Sequence, residues 1–546
     1  MSSVHWFRKG LRLHDNPALT DLCQRPGVTG VYPIFILDPF FVEASQTNSP
    51  RIGVRRWKFL LECLEDLNVR LKEHDSRLFV LRGNPLKILP KLVKALDAKH
   101  LTFEKDTEPY ALYRDGEVMK ELKDYSCDVA SFTSHTLFDP ESLLKPPKTD
   151  YEKNVWKRGV PPLTYRAFIS KALKAESNGD CVPLPIPAPT KIPSAYTSLD
   201  NLIEALGSEV AGPNGDFSVP SSEELNLELP SKEEESPHKG GETVALERMD
   251  SFLKDKARVI NFKKPETAPT AFYPTASTTI LSPYLKFGCL SPRLFHQELW
   301  AIEKPALKTS SKPPESLRGQ LLWREFFYLC GYAVPGFDSM KQNPICLQME
   351  WKCPQKGDSS PHLEAWREGR TGFPWIDAAM TQLRKEGWIH HLARHAVACF
   401  LTRGNLYISW ERGAEVFEEL LLDADWSLNS ANWLWLSASA FFTQYFRVYS
   451  PIVFPKKTDP DGNYVRHWIP ALKHMPTKYI YEPWTAPLDV QRRAKCIIGK
   501  DYPRPIVDHA ETRKTNLALM KEAYQAADYG QPNGAEIIQG KRKDRN

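Results

Sequence analysis

The amino-acid sequence predicts a doubly wound α/β region with a parallel sheet, followed by a large all-α region. Three observations carry that prediction. Short apolar runs alternate with helical periodicity over residues 1–140, a segment rich in Pro, Ser, Asn and Glu breaks the pattern at 179–241, and beyond it nearly every segment has apolar residues at helical spacing. At 546 residues the chain exceeds what one hydrophobic core usually supports, so two or three cores are expected.

In the first region Val31–Leu37 (VYPIFIL), Leu78–Leu81 and His100–Phe103 are short apolar runs of the kind found in buried strands. Arg55–Lys72 repeats its apolar residues every three or four positions, as a helix does. Strands separated by helices pair in parallel, because only a crossover returns the chain in the same direction. Ligands of such sheets sit at the carboxyl ends of the strands, yet no GxGxxG follows the first strand, so a standard dinucleotide site is not expected there. The runs PLPIPAPTKIP and SKEEESPHKGG mark a long connection, placed at 141–241. Helices are expected at Leu246–Lys256, Arg293–Ile302, Leu317–Tyr332, Ile376–Glu386, Leu392–Leu401 and Glu411–Asp423, within a helical region at 242–530. The remaining 531–546 is a basic polar tail ending GKRKDRN, compatible with a nuclear import signal.

Apolar content of 42% and charged content of 25% are those of a globular chain. Without an apolar run of membrane-spanning length or an apolar signal core after Met1, neither secretion nor membrane spanning is expected. The ten cysteines are scattered, and even Cys346 and Cys353 have six residues between them, which suits neither a zinc knuckle nor a redox CxxC; no metal is expected. A net charge of +5 requires any nucleic acid to be held by a local basic surface. The 15 tryptophans crowd into the second half, where they serve as core, base-stacking platforms or redox carriers.

Three constellations carry chemistry. Gly387–His395 reads GWIHHLARH and sets His391 and His395 one turn apart on one helix face. A metal site would need a third ligand and the Glu of HExxH; core histidines and an acid/base pair remain as alternatives. Asp423–Asn432 reads DADWSLNSAN, and Arg394 suits a bidentate clamp on Asp423. Ser277–Ser282 (STTILS) offers hydroxyls and amides before a helix, chemistry suited to a diphosphate.

Trp6–Leu19 (WFRKGLRLHDNPAL), Leu281–Ser291 (LSPYLKFGCLS), Trp323–Phe327 (WREFF), Thr371–Asp377 (TGFPWID), GWIHHLARH and Trp435–Pro451 together resemble the photolyase/cryptochrome family, over nearly the whole chain except 179–241 and the tail. The resemblance implies an N-terminal antenna domain and a helical domain holding FAD in a U shape. Carried over by motif, Thr278, Thr279, Ile280, Leu281 and Ser282 are expected at the FAD phosphates, with Gln320 and Arg324 lining the pocket. Arg394 and Asp423 are expected as a salt bridge beside the isoalloxazine, Asp425 at the ring or ribose, and Asn429 facing flavin N5.

Cyclobutane-dimer photolyases lack the histidine pair, whereas (6-4) photolyases and animal cryptochromes share HHLARH. Arg447 and Tyr449 in FRVYSP resemble the (6-4) enzymes, in which the arginine helps hold the opened duplex and the tyrosine lines the lesion pocket. Lys264, Gln320, Trp323, His391, His395 and Tyr449 are the implied lesion pocket. Trp433, Trp410 and Trp351 fall at the family's electron chain from flavin to surface, followed by Tyr407 where many (6-4) enzymes carry a fourth Trp, a departure similar to algal animal-like cryptochromes. The implied activity is light-driven repair of (6-4) pyrimidine-pyrimidone photoproducts, with His391 as proton donor and His395 as its relay. The alternative is a blue-light photoreceptor with a signalling or clock role. Implied cofactors are FAD and an antenna chromophore, deazaflavin or folate; the implied partner is UV-damaged DNA, bound by a nuclear monomer, with clock or signalling proteins under the alternative.

Overall fold

The computed structural model describes residues 1–42, 52–177, 182–194, 198–231, 235–270 and 276–532. Five parallel strands, β1 (Ser2–Phe7), β2 (Gly30–Leu37), β3 (Phe79–Arg82), β4 (His100–Glu104) and β5 (Asp128–Phe132), lie in the order β3-β2-β1-β4-β5. The three expected strands are present to within a residue. Sequence periodicity missed β1, which is short and half polar, and β5, an edge strand whose residues stay partly exposed. Central β1 pairs Trp6 with Ile34 on one side and Phe103 on the other.

The strand order reverses between β1 and β4, the point where this fold class opens a crevice beyond the strand ends. Here side chains occupy it: Arg8 pairs with Asp115, and Lys9 Nζ lies 3.2 Å from Asp106 and 2.5 Å from Glu108.

Two large cores form, but they divide at the sheet and not between the two regions. Val4, Trp6, Ile34 and Ile36 pack in one cluster, whereas Phe7, Phe35 and Leu37 belong to a cluster continuous with the helical core. The 141–241 segment is correspondingly more than a connector. Helix Tyr165–Ser177 sends Tyr165 to stack on Trp323 of the helical region at 3.9 Å. Helix Leu199–Leu206 turns back and buries Leu202 and Leu206 in the sheet's own core, while Phe217 accepts a backbone hydrogen bond from Val80 at 2.8 Å. Its proline-rich approaches have no periodicity, which is why the return was not legible.

Each of the six expected helices is present: Glu242–Leu253, Pro292–Glu303, Leu317–Ala333, Pro374–Glu386, His391–Cys399 and Trp410–Leu420, joined by Trp426–Leu436 and His509–Ala526. Leu317–Ala333 is buried almost all round, the mark of a central helix. The histidine helix stops at Cys399, short of the expected Leu401, because the chain enters a π turn at Phe400–Gly404 with Thr402 far from helical ψ. The regions meet where Gly10 and Leu11 N–H both donate to Phe287 C=O at 3.1 Å. Gly288, at φ +66, must lack a side chain, since a Cβ there would collide with the Gly10 backbone. Among the described residues no helix is long and apolar enough to cross a membrane. The tail from 533 onward lies outside the described residues.

Candidate functional site

A cavity of about 560 Å³ opens in the helical region, a size typical of cofactor pockets. Thr278, Thr279, Ile280, Leu281, Ser282, Gln320, Trp323, Arg324, Arg394, Asp423, Asp425, Asn429 and Trp433 all line it, as do Lys264, His391, His395 and Tyr449. Of the predicted site residues, Arg447, Trp410, Trp351 and Tyr407 stand outside it.

The clamp expected from the sequence is present: Arg394 Nη1 and Nη2 donate to the two oxygens of Asp423 at 3.1 and 2.8 Å. Ser282 Oγ adds a hydrogen bond to the same carboxylate at 2.6 Å, and Arg394 Nε donates to Ile389 C=O at 3.0 Å. Asp423 is therefore the joint between the STTILS segment and the histidine helix. Asp425 is almost fully spent on the protein. Its Oδ1 accepts from Ser427 and Leu428 N–H as the cap of helix Trp426–Leu436, and its Oδ2 accepts from Tyr328 O–H at 2.5 Å. Asp425 thereby holds the helix that presents Asn429. Asn429 lines the cavity, and its Nδ2 donates to Ala414 C=O at 2.9 Å, which fixes the amide and leaves Oδ1 an unengaged acceptor among the described residues.

Sequence reasoning missed the charged groups packed against Asp425. Lys9, from the loop after β1, reaches across to within 3.7 Å of Asp425 while it pairs with Asp106 and Glu108. Beside them Lys286 lines the cavity, its pKa pushed down to about 7 by burial and then by the charges of Arg56 and Lys9. Arg324 points away from the cavity mouth, donating to His135 C=O at 2.7 Å and to Glu325 at 2.8 Å. Pairs separated by hundreds of residues leave no local pattern to read. The residues fit FAD on two counts: among the described residues Thr278 Oγ1 is buried without a partner, and Asn429, which lines the cavity, keeps Oδ1 as an unengaged acceptor.

The other wall is histidine-rich. The His391 and His395 rings stand 5.7 Å apart, and His390 lies 4.3 Å from His391. His395 Nδ1 is 3.2 Å from Tyr449 O–H, whereas neither His391 nitrogen has a partner among the described residues. Burial, and then the Lys264 charge, lower the pKa of His391 far below its ordinary value and that of His395 to about 3. Burial also lowers Lys264 itself, to about 8. Gln320 Nε2 is tied to Pro314 C=O at 2.6 Å, and Trp323 packs edge-on to Trp435 at 5.4 Å. Arg447 is exposed on the following loop.

Trp433 borders the cavity and packs on Phe417 at 5.0 Å. Trp410 and Trp351 are buried, and Trp351 meets Tyr407 at 4.5 Å. The indole N–H groups of Trp433 and Trp351 lack hydrogen-bond partners among the described residues. The series does not end at an exposed ring, as the sequence had suggested: Tyr407 is only 3% exposed, and burial raises its pKa to about 12.

Residues 3–190 match the family model "DNA photolyase" and residues 316–522 match "FAD binding domain of DNA photolyase". The chain is 49% identical over 535 residues to "(6-4)DNA photolyase" of Oryza sativa subsp. japonica, covering 96% of this chain and 90% of the relative. It is 48% identical over 529 residues to "Cryptochrome-1" of Gallus gallus, covering 96% and 78%. Among solved structures, a bacterial class III photolyase from Agrobacterium tumefaciens superposes with TM-score 0.75 at 28% identity, covering 96% of this chain and 98% of that one. A Synechocystis cryptochrome gives 0.77 at 26%, covering 95% and 99%. On sequence identity, coverage and fold together, this chain belongs to the photolyase/cryptochrome family.

Proposed function

We propose that this chain is a (6-4) photolyase, binding UV-damaged DNA and repairing (6-4) photoproducts under light. The observation that carries the proposal is that one cavity joins the flavin-suited residues Thr278, Asp423 and Asn429 to a wall of His391, His395, Tyr449 and Lys264. When bound, FAD in its reduced form supplies a light-excited electron. The protein supplies everything around that event. Thr278–Ser282, the Arg394–Asp423 clamp and Asn429 hold and orient the cofactor. A lesion is distorted and cheaper to flip out than a paired base, and Trp323 and Tyr449 give it stacking surface. Exposed Arg447 meets the phosphate backbone, which contributes affinity without sequence preference.

His391, with both ring nitrogens free, is placed to hand a proton to a bound base, and His395, steadied by Tyr449, to replenish it. Both rings rest neutral, so the arrival of an anionic phosphate beside Lys264 offsets that charge and raises their proton affinity. Trp433, Trp410, Trp351 and Tyr407 form the path by which an electron reaches the flavin through the protein. An antenna chromophore, deazaflavin or folate, a monomeric state and a nuclear location complete the proposal. The equal similarity to "Cryptochrome-1" supports a second reading, a photoreceptor that repairs nothing. Repair of an oligonucleotide carrying one defined lesion distinguishes them.

A further inference from the structure

His390 is the one imidazole of HHLARH with no part in the proposed chemistry, and both of its nitrogens are committed. Nδ1 accepts from Leu392 N–H at 3.2 Å, which caps the histidine helix, and Nε2 lies 2.9 Å from Thr267 Oγ1. The Thr267 hydroxyl has a single proton, given to Lys264 C=O at 2.7 Å, so it must accept from His390. The ring is therefore neutral and protonated at Nε2; charging it would break the helix cap. From its other side the Lys264 N–H donates to Glu315 C=O at 3.0 Å. The backbone of 264–267 is thus pinned to the start of the helix that carries His391 and His395.

Three cations and one phenol face that histidine pair: Lys264, Arg394, Arg403 and Tyr449. Arg394 is clamped by Asp423, and Arg403 by the carbonyls of Leu436, Tyr445 and Arg447. The Lys264 ammonium has no hydrogen-bond or ion-pair partner among the described residues, so its position depends on its backbone.

We propose that His390 is a positioning residue which, through Thr267, fixes Lys264 against the His391–His395 pair and so sets how readily that pair takes up a proton. The inference rests on the repair reading above. Its tie is independent of the cofactor, and burial of His390 supports it, since a ring 3% exposed with two committed nitrogens cannot itself shuttle protons.

Two variants separate the tie from the helix cap. Thr267→Val removes the acceptor and leaves His390 in place. His390→Asn keeps a good N-cap but is too short to reach Thr267. In each, Lys264 is free to withdraw, the pair gains proton affinity, and the alkaline limb of the repair-against-pH profile moves upward by about half a pH unit. Flavin content stays near wild type, and lesion affinity falls no further than in Lys264→Met. Lys264→Met moves the limb the same way, and adding Thr267→Val to it moves nothing further. Ring nitrogen shifts in the full-length flavin-bound protein, without DNA, provide a second readout: His390 as the Nε2–H tautomer, and a higher His395 midpoint in both variants. Limbs and midpoints that stay put in both variants, or a Thr267→Val shift that persists in Lys264→Met, overturn the proposal. A wild type that repairs nothing defeats the repair reading, and the His395 midpoints then decide the tie by themselves.

Discussion

Trp433 holds its place at the cavity edge because Gly413, one turn into helix Trp410–Leu420, has no side chain. A Cβ at 413 would come within 2.5 Å of the Trp433 Cζ3 and 2.6 Å of Cζ2, and closer still to Cη2. To regain ordinary carbon–carbon separation the indole must retreat by roughly 1 Å or more. Phe417 at 5.0 Å and Trp366 at 6.3 Å crowd the ring, so its open side is the cavity. Overpacking of this kind costs about 1–3 kcal/mol, and replacing a helical Gly with Ala returns about 1 kcal/mol. Gly413→Ala therefore folds, with a net loss of about 1 kcal/mol. The larger effect is positional: an indole pushed into the cavity weakens flavin binding by about tenfold, equivalent to about 1.4 kcal/mol. Flavin-to-protein absorbance after desalting, with urea unfolding in parallel, measures both. Wild-type flavin occupancy and an unchanged photoreduction rate in Gly413→Ala would refute the placement of Trp433.

Asp423→Ala strands the Arg394 guanidinium and the Ser282 hydroxyl; with the arginine side chain 24% exposed, the loss is discounted to about 2 kcal/mol, read by urea unfolding together with faster flavin release. Tyr407→Phe keeps the ring that packs on Trp351 but removes the phenol, so transient spectroscopy should lose a tyrosyl signal present in wild type. His5 is buried, bonded to Thr102 and Asn16, and lowered to about 3 by burial and then by Arg8. Its folded pKa lies below its unfolded one, so the unfolded chain alone takes up this proton and stability falls as pH drops below about 6.5. Between pH ~7.5 and ~5.5, wild type should lose about 1.4 kcal/mol more than His5→Asn. Equal pH dependence would mean that His5 is charged in the fold.

What could be read from the sequence was what is local. Helical periodicity located six helices of the second region, the i,i+4 spacing of His391 and His395 put them on one wall, and the chemistry of Arg394 suited it to Asp423. What escaped depends on distance along the chain. Lys9 meets Asp425 across more than four hundred residues, and Thr267 finds His390 across 123, so no window of sequence contains either pair. The buried position of Tyr407 was equally hidden, because it follows from the π turn at Phe400–Gly404 and a left-handed backbone, φ +55, at Tyr407 itself. The 141–241 segment resembled a linker because the helix that returns to the sheet, Leu199–Leu206, is short and lies between proline-rich and polar stretches without periodicity.

Under the proposed function, the cavity wall built by His391 and His395 is what makes this family member a repair enzyme. The most direct test is blue-light repair of an oligonucleotide with a single (6-4) photoproduct, for wild type and His391→Asn, with lesion affinity measured alongside. Wild type is expected to repair, and His391→Asn to lose about 10²- to 10⁴-fold at unchanged flavin content and affinity, the usual worth of a general acid. Wild type that binds the lesion no better than undamaged DNA and repairs none of it would contradict the account and favour the photoreceptor.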